Sequence, residues 1–149
     1  MANVLPKFPR RRVSSRRTIA ARLEPALGYR LLTLQQAMEP GEQLEFEVSI
    51  HRVAPELVER LEVSVLWFTE GKGSEDRGVH FFHSLDHDEL VADFDTPKRL
   101  STVLPNNPLS YDGKLFRIRW CVRLRLFLRD GRRISAEKPF YLGHLTVEV

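Results

Sequence analysis

His80, His83 and His87 lie close along the chain to Asp86, Asp88 and Glu89, and these are the side-chain types that ligate a divalent metal. An extended strand through His80 and His83 sends their rings to opposite faces, so they cannot meet one ion unless a bulge intervenes. The chain has neither a His-Glu-x-x-His pattern nor a second cysteine, which removes two common zinc arrangements. Asp86, Asp88, Asp93 and Asp95 would bind Ca²⁺ only weakly, because the spacing and glycine of an EF-hand loop are missing. The histidines are read as surface side chains in an acidic turn, and no metal site is expected. Gly71-Lys72-Gly73-Ser74 has the composition of a phosphate loop, but Gly73 separates Lys72 from Ser74 and no long helix follows to aim its N terminus at phosphate. Cys121 sits among arginines that would lower a thiol pKa, yet a mid-strand position leaves little room for substrate. No Gly-x-Ser-x-Gly elbow marks a serine nucleophile. The expectation is a chain that is not an enzyme, with no catalytic residue, no metal and no cofactor.

What remains is positive charge, in two places. Residues 1–22 carry Lys7, Arg10, Arg11, Arg12, Arg16, Arg17 and Arg22 with no Asp or Glu. Taking those seven from the 23 basic residues leaves 16 against 20 acidic ones, so residues 23–149 have a net charge of −4 while the whole chain is +3. A basic segment on a mildly acidic body reads as an arm that contacts something anionic: nucleic acid, a membrane surface or an acidic partner. Phe8 is its only aromatic residue, so base stacking is not indicated. Arg11-Arg12-Val13-Ser14 resembles a basophilic kinase site, and an acid-free Arg- and Ser-rich start resembles a transit peptide, which Pro6 and Pro9 argue against. The second place is the run Phe116 to Leu128. Here Phe116, Ile118, Trp120, Val122, Leu124, Leu126 and Leu128 alternate with Arg117, Arg119, Cys121, Arg123, Arg125 and Phe127. Guanidinium groups fork onto carboxylates and phosphates. An arginine face is therefore either a docking surface or a solvated one whose arginines pair with Glu45, Glu47 or Glu62. The candidate partner-binding residues are Arg10, Arg11, Arg12, Arg16 and Arg17 in the arm, and Arg119, Arg123 and Arg125 on the strand.

A period of two requires an extended strand with one buried face. Polar residues on the other face point to an antiparallel sheet, since central parallel strands are apolar on both faces. Around it the chain reads as successive short strands: 27–34, 44–51, 61–69, 79–84, 90–94, 99–104, 116–128, 133–142 and a closing 146–149. Pro40-Gly41 and Asp130-Gly131 mark turns. Pro55 opens one helical turn, and Asp86 to Glu89 is an acidic turn. No helix is long enough to cover a sheet, so two packed sheets are the economical architecture. At 149 residues, 42% hydrophobic and 29% charged, the chain fits one globular domain at 23–149 behind the arm at 1–22. It has no apolar run of about 20 residues to span a bilayer and no apolar core of a secretory signal. A lone cysteine fits a reducing compartment. A cytoplasmic protein is expected.

Three stretches resemble arrestin-like and Vps26-like β-sandwiches. They are the Pro40-Gly41 turn opening the alternating strand to Val48, the turn from Leu104-Pro105 through Pro108 to Gly113, and the strand Ile118 to Leu126 that follows. Leu66 to Gly73 is similar to the matching strand and loop of small bacterial relatives. The resemblance covers roughly residues 27–143. It implies an all-β, immunoglobulin-like (arrestin-like) antiparallel β-sandwich that works as a non-catalytic adaptor or scaffold, binding a protein partner through strand edges, loops or sheet faces. Self-association through strand edges is a further expectation. The chain has length for one sandwich where arrestins have two, so no functional residue is carried over.

Overall fold

The apolar and arginine-bearing positions of Phe116–Leu128 form one unbroken strand with those bounds. The computed structural model describes residues 26–31 and 37–144. The arm at 1–22 and the expected segments 32–34 and 146–149 lie outside the described residues. Nine strands are described: β1 (Ala26–Leu31), β2 (Ala37–Met38), β3 (Gln43–His51), β4 (Val58–Gly71), β5 (Arg77–Asp86), β6 (Lys98–Val103), β7 (Tyr111–Asp112), β8 (Phe116–Leu128) and β9 (Arg133–Leu142). They make two sheets. The smaller has the order β1-β3-β6. The larger runs β2-β9-β8-β4-β5, with β7 also pairing β8. Every pairing is antiparallel except β2 with β9.

The two sheets share one buried cluster. Leu44, Phe46 and Val48 of β3 belong to it with Leu61, Val63 and Val65 of β4 and with Trp120, Val122, Leu124, Leu126 and Leu128 of β8. These are the inward positions that the alternation marks, and Trp120 is only 1% exposed. Burying each such side chain is worth about 1.5–3 kcal/mol before entropy. The indole N–H of Trp120 donates to the Pro108 carbonyl at 2.8 Å, so burial leaves no polar group unmet.

One expected pair of elements is different. Where the sequence predicts a turn at 86–89 and a strand at 90–94, the chain forms a helix, α1 (His87–Ala92). The Asp86 carboxylate accepts from the Glu89 N–H at 2.9 Å, and the Glu89 side chain accepts from the Asp86 N–H at 3.0 Å. This reciprocal capping box nucleates the turn, and Leu90 anchors it in the core. Among the described residues no helix is long and apolar enough to cross a membrane.

Candidate functional site

Register decides what the arginine-bearing face of β8 presents. Across β9, β8, β4 and β5 it sets Pro139, Cys121, Leu66 and Val79 in one row. One neighbouring row holds Arg119, Phe68 and Arg77. The other holds Glu137, Arg123, Ser64 and Phe82. The outward face is thus an apolar row bordered by arginines rather than a continuous cationic track. Cys121 and Leu66, although outward, are both 3% exposed. Long arginine stems lie over such positions while their charged heads reach water.

The three strand candidates differ in their partners. Arg119 Nε donates to Glu70 at 2.5 Å, and Arg123 Nε donates to Glu137 at 2.7 Å. Arg125 makes no ion pair among the described residues and lies between Glu62 and Ser135 in the register. The expected carboxylate partners are not the ones used. Glu45 and Glu47 belong to β3 in the other sheet, where Glu47 pairs with Arg99, and Glu62 pairs with Arg60. Two arginines that sequence reasoning missed complete the face. The guanidinium of Arg60 stacks 3.9 Å from the Phe127 ring centre, and that of Arg133 lies 5.8 Å from it. Counting the β8–β9 hairpin register would have found Arg133. The arm candidates Arg10, Arg11, Arg12, Arg16 and Arg17 lie outside the described residues.

Where β9 leaves β8 after Phe140, β7 takes its place beside Ile118 and Arg117. An open cleft of about 390 Å³ lies at this junction, lined by Arg117, Arg119, Lys138, Tyr111 and Tyr141 among others. Arg117 pairs with Asp112 at 2.9 Å, and both line it. The junction is stitched by the Ser110 N–H to the Leu142 carbonyl at 2.7 Å and the Leu142 N–H to the Ser110 hydroxyl at 2.8 Å.

Groups with other chemistry are used differently. Burial pushes the Cys121 thiol up to about 11, Glu137 adds to the rise, and Arg123 opposes it. The expected lowering by arginine is outweighed, because desolvation penalises the thiolate more than one nearby cation favours it. A bulge in β5 leaves His80 outside the register between Val79 and Phe81. Its Nε2 sits 2.8 Å from the Val103 carbonyl and 3.1 Å from the Thr102 hydroxyl. His87 Nδ1 lies 2.7 Å from the Val58 carbonyl. Among the described residues no group of three or more His, Cys, Asp or Glu is placed to hold a metal ion.

Fold and site together define an all-β protein of two packed sheets with a mixed cationic and apolar outer face. No family model matches the chain, and no curated protein matches it. Among solved structures it is similar to Spo0M, a sporulation control protein from Bacillus subtilis, with a TM-score of 0.57 and 12% identity over 81% of this chain. The chain spans 50% of the length of that structure. At this identity the likeness concerns the fold alone.

Proposed function

We propose that the chain is a non-catalytic protein-interaction module, an adaptor or scaffold of arrestin-like, immunoglobulin-like β-sandwich type, working in the cytoplasm behind a basic arm at 1–22. One observation carries the reading: Arg119 and Arg123 border an apolar row on the outward face of the larger sheet, and Arg125 lies one row beyond Arg123. A partner presenting carboxylates beside apolar side chains would match that face. Among the described residues Arg125 has no ion pair to give up, and Arg119 pairs with a half-exposed glutamate. Exposed pairs of that kind are worth about 0–1 kcal/mol, so exchanging one for a partner's carboxylate costs little. Desolvation at an interface then makes the guanidinium contacts count for more.

The test is affinity purification from the native cell with wild type and the triple variant Arg119→Gln, Arg123→Gln, Arg125→Gln. Glutamine keeps part of the aliphatic stem on the positions flanking Cys121. The expected result is a defined protein partner whose affinity drops about 100-fold in the variant. Equal recovery by both proteins removes this face from consideration. A second reading, attachment to nucleic acid or an anionic membrane through residues 1–22, is favoured by their seven cations set against a body of net −4.

A further inference from the structure

The larger sheet ends in two unlike edges. On the β9 side, Lys138 shares the register of core-facing Val122, and Pro139 removes a backbone donor. An inward-facing charge and an edge proline both discourage another strand from pairing. On the other side, β5 pairs only with β4 among the described residues. Between Arg77 and Asp86 this strand has no charged residue and no proline, and its one irregularity is the bulge at His80. Val79 and Phe82, on the outward face, are 61% and 55% exposed. The His80 ring bonded to the Val103 carbonyl holds the strand against the smaller sheet, so the open edge is fixed in its extended form.

We propose that this edge pairs with the same edge of a second copy, antiparallel about a two-fold axis at Phe82, joining two larger sheets into one. The edge is complementary to itself. With Phe82 opposite its own counterpart, core-side Phe81 meets core-side His83 of the other copy. Beyond them the bulge residue drops out of the count. Val79 then faces Ser84, Gly78 faces Leu85, and Arg77 faces Asp86. Every pair joins residues of the same face, as antiparallel pairing requires; without the bulge the outer pairs would be mismatched. Both ends of the ladder close with an arginine opposite an aspartate. Arg77 makes no ion pair among the described residues. The Glu89 N–H caps Asp86 at Oδ1, which leaves Oδ2 for the partner. The edge adjoins the arginine face but would pair through its backbone, and Arg119, Arg123 and Arg125 of β8 take no part, so either proposal can fail alone.

Sedimentation equilibrium on the full chain tests it. The expected result is a dimer that dissociates on dilution. Phe82→Lys sets two lysines on the axis and yields a monomer that still unfolds cooperatively. Arg77→Glu weakens association about tenfold, because both end pairs become repulsive. Register is read by cross-linking: Phe82→Cys joins two copies on mild oxidation, since opposed residues on a two-fold axis meet disulfide geometry, whereas Ser84→Cys does not. A wild-type monomer at the highest soluble concentration, a dimer unaffected by Phe82→Lys, or equal cross-linking of the two cysteine variants overturns the proposal.

Discussion

At Cys121 burial and charge act in opposite directions, and burial wins. Arg123 favours the thiolate, but the side chain is almost wholly covered and Glu137 lies nearby, so the thiol pKa rises from 9.0 to about 11. Two consequences follow for this one residue. The thiol stays protonated at neutral pH and is shielded, so a disulfide reagent such as DTNB should label native protein far more slowly than protein in denaturant. The pH dependence has a definite sign. Between pH 9 and 11 the unfolded chain loses this proton while the folded chain keeps it, so stability falls as pH rises through that window. Cys121→Ser or Cys121→Ala variants should lose that particular slope in denaturant titrations across pH 8 to 11. Fast labelling of native wild type would mean that the arginine stems do not cover the position.

The bounds of β8 and β9 were legible because two signals coincide there: period-two alternation and the Asp130-Gly131 turn. The side-to-side pattern was harder to read. The connection is a three-residue loop, Arg129 to Gly131, with Gly131 at φ 93° and the Leu128 N–H bonded to the Arg132 carbonyl at 2.9 Å. A two-residue loop would have set Arg123 beside Lys138, and the extra residue sets it beside Glu137. The bulge at His80 has no composition of its own, so the outward row of Val79 and Phe82 could not be assigned from sequence. Helix α1 did have a signal, Asp86 followed three residues later by Glu89, which alternation around Leu90 obscured. For β8 itself the decisive position is Trp120, which fills the core and meets Pro108. Trp120→Phe should cost about 2–4 kcal/mol in guanidinium unfolding, from lost volume and an unmet carbonyl. Trp120→Asp should abolish the cooperative transition, because an uncompensated charge would sit at 1% exposure. A cooperatively folded Trp120→Asp protein would mean that the inward face of β8 is not the core.

Over the whole molecule, charge is divided between an acid-free segment at 1–22 and a body of net −4. The body alone should be repelled by polyanions, and its arginines on β8 are largely engaged, Arg119 with Glu70 and Arg123 with Glu137. Any affinity for an anionic surface should therefore travel with the segment and not with the sandwich. If its seven cations each displace one counterion from a duplex, the salt slope is roughly −6 in log–log terms, so affinity falls about 10³-fold or more between ~50 and ~200 mM salt. Fluorescence anisotropy with a short DNA duplex, and co-sedimentation with phosphatidylserine vesicles, measure this for the full chain and for a chain lacking residues 1–22. The expected outcome is steeply salt-dependent binding by the former and none by the latter. Binding by the shortened chain that is indifferent to salt would move the contact onto the sandwich, where only the mixed arginine and apolar face could supply it.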